Sequence, residues 1–402
     1  MIKALRGMKD FLPPQSEKLE YFLENSYKIV KNFGFKPIET PILEETALFK
    51  RSVGESSDIV GKEMYQFIDK GGNDVCLRPE GTAGVVRSFI ENKLDRKGGV
   101  YRFYYFGPMF RYERPQKGRL REFHQFGAET FGEASVFEDI NIIMMIKEIL
   151  DFFNISYTLK INSLGCKECM PSYRENLVTF LKDIEDGLCE DCQRRIVTNP
   201  IRVYDCKNQN CQNLLKEGPR ITNALCENCD KDFTTLTKTL RELGIEFEID
   251  KNLVRGLDYY TKTAFEFVSN DLGAQNAIAG GGRYDRLVEF LGGKPTPAIG
   301  FAIGVERILD LIEMPNPKRE GYYFGALSEE AVKVAMKEAL NKRKKEKVYM
   351  EYKPKSLKAH LKAADKINAK YCAVIGEEEL KNGVIWIKDL EEKSEKFQKI
   401  GE

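Results

Sequence analysis

The first part of the chain alternates between helical and strand-like hydrophobic patterns. Apolar residues recur at helical spacing over 16–33, which predicts an amphipathic helix, and Gly34 suits its carboxyl-terminal stop. An extended stretch with two prolines at 35–49 leads into a short helix. Further along, the pattern predicts strands at 63–69, 100–113, 122–132 and 157–164, a strand–turn–helix unit at 75–90 and an apolar helix at 139–153.

The pattern changes at Cys166. From there to Cys229 the chain is polar, rich in cysteine and weakly periodic, so we expect an inserted module. Strand-like character returns at 247–269, continues at 277–293 after a short gap, and ends in a strand that runs into a helix at 297–313. Beyond a linker with two prolines, strands and helices alternate as in a small α/β domain. The predicted domains are a divided main domain at 1–164 and 239–314, an insertion at 165–238, a linker at 315–321 and a carboxyl-terminal domain at 322–402.

Composition and charge limit the class of protein. At 402 residues two or three domains are expected, and a hydrophobic fraction of 42% suffices for large cores. The formal net charge of +1 argues against wholesale binding to a polyanion, so basic patches have to be found locally. Apolar runs stay short of the ~18 residues that a membrane span needs, and the amino terminus lacks the apolar region of a secretory signal. We therefore expect a cytoplasmic protein that does not engage a membrane.

The chain contains ten cysteines and only two histidines, His124 and His360. So few histidines argue against histidine-centred catalysis and against a multi-histidine metal site. Any chemistry therefore rests on arginine, glutamate and the backbone. The cysteines need an explanation other than disulfides, because a reducing compartment keeps thiols free.

One stretch concentrates cations among aromatic residues. The segment 110–129, FRYERPQKGRLREFHQFGAE, predicts two strands joined by a loop with Pro and Gly; we call it the arginine-rich hairpin. Because side chains alternate along a strand, Arg111 and Glu113 should share one face of the first strand. Gln125 and Glu129 should likewise share one face of the second strand. The loop adds the cations Arg114, Lys117 and Arg119.

The arginine-rich hairpin favours a nucleotide site. Guanidinium groups bind phosphate oxygens bidentately, and a loop that carries them can close over distal phosphates. The alternative is a solvated hairpin with cross-strand ion pairs, which surface sheets often carry.

Two other segments favour the nucleotide site. Arg255 lies in a strand-like run shortly before Tyr259 and Tyr260. Glu80 precedes a turn of small residues. Charged groups on three separate strands indicate a pocket floored by a sheet, because a lone buried charge is costly.

These segments resemble the class II aminoacyl-tRNA synthetases, and specifically the histidyl-tRNA synthetase family, over essentially the whole chain. Residues 107–129 are similar to the second class II motif, and GFAIGVERI at 300–308 is similar to the third. PIETPILEETALF at 37–49 is similar to the first motif, which lies at the dimer interface. LVRGLDYYTKTAFEF at 253–267 and AGGGRYDRLVEFLGG at 279–293 resemble two signatures of the histidine-specific enzymes.

The resemblance implies an α+β fold. A class II catalytic domain built on an antiparallel β-sheet flanked by helices would carry the cysteine-rich insertion and a carboxyl-terminal α/β anticodon-binding domain. It also implies a homodimeric, ATP-dependent ligase of protein biosynthesis. Such an enzyme activates histidine with ATP to histidyl-adenylate and pyrophosphate, and then transfers histidine to the 3′ end of tRNA(His). ATP enters as a substrate together with Mg²⁺.

The resemblance further implies roles for individual residues. Arg111 would hold the ATP α-phosphate and the histidine carboxylate, and Arg255 would approach the α-phosphate from the other side, so these two would be catalytic. Arg307 would contact ATP beside the adenine, and Arg119 the distal phosphates. The whole ATP site would comprise Arg111, Glu113, Arg119, Arg255 and Arg307. The histidine site would comprise Glu80, Gly81, Thr82, Arg111, Gln125, Glu129, Arg255, Tyr259, Tyr260 and Tyr284.

The chemistry of amino-acid activation agrees with this residue set. The histidine carboxylate attacks the α-phosphorus in line and expels pyrophosphate, and it needs no general base because it is already ionised. Catalysis then consists of positioning and of cationic stabilisation of charge on phosphate oxygens. A pocket built to hydrogen-bond a polar side chain strongly rejects analogues that lack it, so a separate editing domain is not required.

Eight of the ten cysteines form four closely spaced pairs in the predicted insertion. Three pairs are C-x₂-C and one is C-x₄-C, spacings typical of one or two tetrahedral Cys₄ zinc sites. With no histidine among them, such zinc would be structural. The alternative is free thiols in a helical insertion, and the sequence leaves the pairing open. The first set to test is Cys189, Cys192, Cys206 and Cys211, and the second is Cys166, Cys169, Cys226 and Cys229.

The basic patch that the overall charge conceals lies near the carboxyl terminus. Residues 341–370 contain eleven Lys and Arg against three acidic residues. Backbone phosphates of a tRNA would supply affinity for this patch, and its tyrosines could stack on unpaired bases. The alternative is a solvated, lysine-rich helix face. The stretch 355–383 resembles the anticodon-binding domain shared by several class II synthetases.

Two competing interpretations come from other classes. The regulatory subunit of ATP phosphoribosyltransferase is a non-catalytic paralogue that keeps the catalytic-domain fold and binds histidine. It departs from the hairpin and Arg255 signatures and lacks the carboxyl-terminal domain, whereas this chain has all three. A zinc-stabilised nucleic-acid-binding module without activity would leave Arg111, Arg255 and Glu80 unexplained.

Overall fold

The computed structural model describes residues 2–54, 57, 59–273 and 276–401. These residues belong to two compact units, Met1–Glu313 and Met314–Glu402. Residues 1 and 402, the outer limits of the predicted domains, lie outside the described residues. Within the described part of the chain, no helix is long and apolar enough to cross a membrane.

The first unit contains most of the regular structure. Its strands are β1 (Lys36–Pro37), β2 (Leu43–Glu45), β3 (Tyr65–Ile68), β4 (Asp74–Leu77), β5 (Tyr101–Phe110), β6 (Glu122–Phe131), β7 (Thr158–Ser163), β8 (Glu248–Ile249), β9 (Thr261–Val268), β10 (Ala277–Arg283) and β11 (Ala298–Gly304). Its helices are α1 (Gln15–Asn32), α2 (Thr46–Val53), α3 (Thr82–Glu91), α4 (Val136–Phe152), α5 (Met170–Asp183), α6 (Glu190–Thr198), α7 (Gln209–Leu214), α8 (Glu227–Glu242), α9 (Leu287–Phe290) and α10 (Val305–Leu311). Single helical turns lie at Ile59–Glu63, Leu94–Arg96, Glu185–Gly187, Pro200–Asp205, Leu215–Glu217, Ile221–Asn223 and Asn270–Leu272.

A mainly antiparallel sheet forms the centre of the first unit. Among the described residues it has eight strands in the order β1-β5-β6-β11-β10-β9-β7-β8, and only the two edge strands β1 and β8 pair in parallel. A second, smaller antiparallel sheet has three described strands in the order β2-β4-β3. The predicted α+β class with a large antiparallel sheet is thereby confirmed.

Strand alternation divides β5 and β6 between two faces of the large sheet. Tyr104 and Phe126 pack into a core with α4, whose Ile142 and Ile146 are fully buried. Helix α4 is apolar on nearly all sides because it lies between the sheet and the helices α1 and α8. Ser135 caps its amino terminus by accepting a hydrogen bond from the Phe137 N–H. The opposite face of β5 and β6 is left for polar side chains.

The cysteine-rich segment has a core of its own. Helices α5 to α8 and the turn Pro200–Asp205 surround buried side chains that include Tyr173, Leu177 and Val203. Cysteines from all four pairs belong to the same cluster, so thiols and apolar side chains are packed together.

The second unit is a separate α/β structure. Its described strands are β12 (Glu320–Ala326), β13 (Val348–Met350), β14 (Ala369–Ile375), β15 (Val384–Asp389) and β16 (Glu395–Lys399), in the sheet order β13-β12-β14-β15-β16. Its described helices are α11 (Glu329–Arg343), α12 (Leu357–Lys366) and α13 (Glu377–Asn382). The predicted alternation of strand and helix is confirmed, and α13 and β16 are additions to it. Strand β12 begins at Glu320, inside the stretch predicted as linker.

Two strand predictions extend too far. The run 247–269 is not one strand: 250–260 form a loop, here called the Arg255 loop, between β8 and β9. The side chain of Asp250 accepts a hydrogen bond from the Asn252 N–H and so turns the chain out of the sheet. In the arginine-rich hairpin, β5 ends at Phe110, so Arg111 and Glu113 stand just beyond the strand.

Candidate active site

A cavity of about 480 Å³ opens on the polar face of the large sheet. Strands β6, β10 and β11, the Arg255 loop and the arginine-rich hairpin all contribute to its wall. Most of the residues that the sequence predicts for histidine and ATP line it: Glu80, Thr82, Arg111, Glu113, Arg119, Gln125, Arg255, Tyr259, Tyr260 and Arg307.

Arg111 is held by its backbone surroundings. Its Nε donates a hydrogen bond of 2.9 Å to the carbonyl oxygen of Pro79, next to Glu80. Its guanidinium carbon lies 5.2 Å from the centre of the Phe123 ring, which is a cation–π distance. The end of β5 therefore presents a cation to the cavity in a defined direction.

Arg255 reaches the cavity from the Arg255 loop. Its Nη1 donates to Oε1 of Glu266 at 2.8 Å, and its guanidinium lies 5.7 Å from the Tyr260 ring centre. Burial opposes the charged form, yet the charges of Tyr260 and Glu266 leave the pKa of Arg255 raised. The side chain passes directly over Gly280, where a Cβ would lie 2.5 Å from Nη1 and Nη2. Gly280 is thus needed to admit the guanidinium in this position.

The loop of the arginine-rich hairpin and helix α10 supply further cations. Arg307 donates from Nη2 to the Gly118 carbonyl oxygen at 3.0 Å. Burial lowers the pKa of Arg307, and the nearby charge of Arg119 lowers it further. Nε of Arg119 stands 3.2 Å from Oε2 of Glu113. With Arg111 and Arg255, four guanidinium groups therefore line the cavity with carboxylates close by, an arrangement that suits a polyanionic ligand.

Glu80 and Gln125 organise the start of helix α3. The Thr82 and Ala83 N–H groups donate to the carboxylate of Glu80 at 2.6 and 2.9 Å, so Glu80 caps the helix. Burial nevertheless raises the pKa of Glu80. The side-chain oxygen of Gln125 accepts a hydrogen bond of 3.1 Å from the Gly81 N–H. This network fixes the turn on which Thr82 faces the cavity.

Glu129 lies behind the cavity wall, as do Gly81 and Tyr284. Its carboxylate accepts hydrogen bonds from the hydroxyls of Tyr284 at 2.5 Å and Thr82 at 2.8 Å. Burial raises the pKa of Glu129 to about 8, against the effect of these bonds. A Cβ at Gly300 would fall 1.6 Å from Oε2, so this glycine makes the room for the carboxylate.

Sequence reasoning missed several residues of the site. The hydroxyl of Tyr105 donates to Glu129 at 3.2 Å, and Tyr105 stands opposite Gly127 in the sheet. Its position in the alternation, on the face of Gln125 and Glu129, is the signal that could have revealed it. Glu266 is a single charged residue in the apolar stretch of β9. A charge in such a place indicates a partner of opposite charge, because an unpaired buried charge is costly. Lys9, Asp10 and Gln15 also line the cavity, and no pattern in the sequence points to them.

The eight paired cysteines come together in two groups. The first cysteine group is Cys189, Cys192, Cys206 and Cys211, and the second cysteine group is Cys166, Cys169, Cys226 and Cys229; within each, the sulfur atoms lie within 4.8 Å of one another.

Both groups have dimensions that fit a metal. Sγ of Cys189 lies 3.8 Å from Sγ of Cys206, and Sγ of Cys166 lies 3.7 Å from Sγ of Cys226. A tetrahedral zinc with Zn–S bonds of about 2.3 Å places its sulfurs about 3.8 Å apart, so the spacing fits such an ion. All ten cysteines are unbridged. Burial alone would raise the pKa of Cys166, but backbone N–H donors from Cys169 and Glu168 lower this pKa to about 7. Burial raises the pKa of Cys229 in the same group.

Cationic side chains of the predicted basic patch are largely exposed on the second unit. Among them, Lys347 and Lys355 are each engaged with an acidic neighbour, Glu320 and Glu351. The exposed cations are Arg343, Lys344, Lys345, Lys347, Lys353, Lys355, Lys358, Lys362 and Lys366.

Comparison with protein families gives two matches. A model described as histidyl-tRNA synthetase matches residues 7–166 and 207–308, and one described as anticodon binding domain matches 323–401. The stretch 167–206 between the two parts of the first match carries Cys169, Cys189, Cys192 and Cys206.

Relatives match along nearly the whole length. The histidine–tRNA ligase of Sulfurimonas denitrificans is 64% identical over 396 residues, which are 98% of this chain and 98% of the relative. That of Nitratiruptor sp. is 66% identical over 395 residues, 98% of this chain and 97% of the relative. Among solved structures, apo histidyl-tRNA synthetase of S. aureus superposes with a TM-score of 0.83 at 34% identity, covering 99% of this chain and 97% of that one.

Proposed function

The chain belongs to the histidyl-tRNA synthetase family, and from this premise we propose that its cavity is the site where histidine is activated with ATP. The family catalyses histidine activation and transfer to tRNA(His), and the chain is accordingly an aminoacyl-tRNA ligase. The observation that carries the assignment of the site is that Arg111 and Arg255, from separate elements, line one cavity together with Glu80 and Thr82.

Arg111 and Arg255 act on the reacting phosphate in this proposal. The histidine carboxylate attacks the α-phosphorus while the bond to pyrophosphate breaks, so one P–O bond forms and one is lost. The extra charge on the α-phosphate oxygens is stabilised by the two guanidinium groups, which stay charged at any physiological pH. The positions of both side chains are set in advance, by Pro79 and Phe123 for Arg111 and by Glu266 for Arg255.

The hairpin side of the cavity holds ATP. Arg119 binds the distal phosphates and Arg307 lies beside the adenine, while Glu113 orders Arg119 through their ion pair. Mg²⁺ accompanies ATP and neutralises part of the charge on its phosphates, and Glu113 offers a carboxylate in the same part of the cavity.

The polar floor of the cavity holds histidine. Glu80, Thr82 and Gln125 offer acceptors to its ammonium and imidazole N–H groups, and Tyr259 and Tyr260 close the pocket around the ring. Behind these residues lie Gly81, Glu129 and Tyr284, which support the pocket through hydrogen bonds. Discrimination follows from this design, because an analogue without the imidazole N–H groups would leave buried polar atoms unpaired.

The second unit binds the tRNA. What supports this is the match of 323–401 to an anticodon-binding domain and the exposed cations of α11 and α12. Phosphate contacts of this kind give affinity that falls steeply with salt. A regulatory subunit that does not charge tRNA would not need such a domain.

Both cysteine groups hold structural zinc in this proposal. The fit of the sulfur spacing supports it, and so does the burial of these thiols in a polar segment whose core they help to form. Zinc there would cross-link α5 to α8, and no catalytic step would pass through it.

The active species is a homodimer joined through the first motif. Leu43 on β2 and Phe67 on β3 are 43% and 46% exposed, and the pairing of both strands with β4 puts them on the same face. An exposed apolar sheet face of this kind is typical of an interface. A monomeric mass at micromolar concentration in sedimentation or light scattering would count against the dimer.

The domain limits and the location belong to the same proposal. A catalytic domain at 1–164 and 239–314, an insertion at 165–238 and an anticodon-binding domain from 322 agree with the separate core of the cysteine-rich segment and with the two compact units. A cytoplasmic location is supported by the unbridged cysteines, as expected where thiols stay reduced. The experiment that tests the function is histidine-dependent exchange of labelled pyrophosphate into ATP.

A further inference from the structure

The Arg255 loop has little support from its own backbone. Among the described residues, the backbone N–H groups of 254–260 donate one hydrogen bond to a backbone carbonyl oxygen, from Asp258 to Val53 at 3.4 Å. Yet this loop has to hold Arg255, Tyr259 and Tyr260 in place at the wall of the cavity. Side chains from elsewhere in the molecule must therefore contribute to its position.

Two side chains of the cysteine-rich segment reach the loop. Nδ2 of Asn199 donates a hydrogen bond of 2.8 Å to Oδ1 of Asp258, the residue directly before Tyr259. Arg202, which is 8% exposed, lies near Gly256, the residue directly after Arg255: a Cβ at Gly256 would be 3.8 Å from Nη2 of Arg202. The cysteine-rich segment thus approaches the loop at two positions, Gly256 and Asp258.

Asp258 is confined on its other side as well. A Cβ at Gly54 would lie 2.5 Å from Oδ2 of Asp258, so only glycine lets this carboxylate approach the end of α2. Asp258 stands between Gly54 and Asn199, and the Asn199 amide contributes to the orientation of its carboxylate.

Asn199 and Arg202 belong to the segment that the first cysteine group encloses. They lie between Cys192 and Cys206, two members of that group. The segment is compact: the Asn199 N–H donates to the Arg195 carbonyl oxygen at 2.9 Å, and Nη1 of Arg195 donates to the Arg202 carbonyl oxygen at 3.2 Å. Whatever orders this group of thiols therefore also orders the two side chains that support the loop.

The geometry points to Asn199 as a positioning residue for histidine activation, acting through Asp258 on the loop that carries Arg255. The inference rests on the proposed function of the cavity. Arg202 lies near Gly256, and the cysteine-rich segment becomes a support for the active site. Displacement of a catalytic group by about 1 Å can cost up to 10²-fold in rate.

The test compares Asn199→Ala with Asn210→Ala in the full-length chain. Asn210 is a matched control, because its Nδ2 also donates one hydrogen bond, of 2.9 Å, but to the Gly187 carbonyl oxygen inside the cysteine-rich segment. At saturating histidine and ATP, the pyrophosphate-exchange rate of N199A should fall by about ten- to a hundredfold. N210A should stay within about twofold of the unaltered chain, and both variants should melt at the same temperature.

A double-mutant cycle separates positioning from a general structural role. D258A should lose at least as much as N199A, and the double variant N199A/D258A should lose no more than D258A alone, because the Asn199 amide acts through the Asp258 carboxylate. Equal exchange rates for N199A and N210A, or multiplicative losses in the double variant, would overturn this inference alone. No histidine-dependent exchange by the unaltered chain would overturn the proposed function and this inference with it.

Discussion

The guanidinium of Arg255 lies so close to the backbone of Gly280 that a Cβ at position 280 would fall 2.5 Å from both terminal nitrogens. The neighbour is the end of a long side chain and not backbone, so a methyl group there can be accommodated if Arg255 moves. Gly280 is therefore a place at which the catalytic arginine can be displaced while the sheet is kept.

Gly280→Ala should impair the activation step in the same way as Arg255→Ala. Loss of one such cation from the transition state should lower the pyrophosphate-exchange rate by about 10²–10³-fold, while histidine still binds. Gly61→Ala is the matched control, because a Cβ at Gly61 meets nothing within 4 Å. Exchange near the unaltered rate in R255A would remove Arg255 from the mechanism, and the same result in G280A alone would mean that the methyl group does not displace the guanidinium.

Glu129→Gln should change how stability depends on pH. Burial raises the pKa of Glu129 from 4.5 to about 8, so between these values the folded chain keeps a proton that the unfolded chain has released. By linkage, this carboxyl makes the free energy of unfolding fall as pH rises from about 4.5 to 8. Glutamine cannot ionise, so E129Q should gain stability relative to the unaltered chain over that window.

Urea unfolding at about pH 5, 6.5 and 8 measures this difference. Glu20→Gln, on the exposed side of α1, is the control and should show a difference that does not vary with pH. A constant difference for E129Q as well would mean that Glu129 is ionised in the folded chain at neutral pH.

Metal analysis of the purified chain should find two zinc ions per chain. Cys206→Ser should remove one of them and lower the melting temperature, because a Cys₄ site that loses a thiolate binds zinc far more weakly. Cys372→Ser, a buried thiol outside both cysteine groups, should leave the zinc content unchanged. An unaltered chain that contains no zinc, prepared without chelators, would favour free thiols.

Removal of the residues after Gly321 should separate the two half-reactions. The first unit keeps every residue assigned to histidine and ATP, so its pyrophosphate exchange should change little. Charging of tRNA should lose about 10²-fold or more in kcat/KM, because the phosphate contacts of the basic patch are gone. Unchanged charging kinetics would mean that the basic patch is not a tRNA surface.

The alternation of side chains along the strands predicted much of the site from the sequence. Gln125 and Glu129 do share a face of β6, as the two-residue period requires. The same period would have located Tyr105, whose partner across the sheet is Gly127. Alternation could not place Arg255, because the Arg255 loop leaves the sheet and its position depends on contacts with residues distant in the chain.

The cysteines illustrate the same limit. Their spacing indicated chelating pairs, but the grouping of Cys166 with Cys226 depends on how the fold brings the starts of α5 and α8 together. Lys9 and Asp10 reach the cavity because Gly7 accepts backbone hydrogen bonds from Arg121 and Glu122. A local sequence pattern does not indicate a contact between residues that lie more than a hundred positions apart in the chain.

Histidine-dependent exchange of labelled pyrophosphate into ATP, with the other amino acids as controls, tests the central claim most directly. The account predicts exchange with histidine alone, which reports formation and reversal of the adenylate without any tRNA. Absence of exchange in a chain that still binds histidine would contradict it, and would favour a regulatory paralogue that binds the amino acid without activating it.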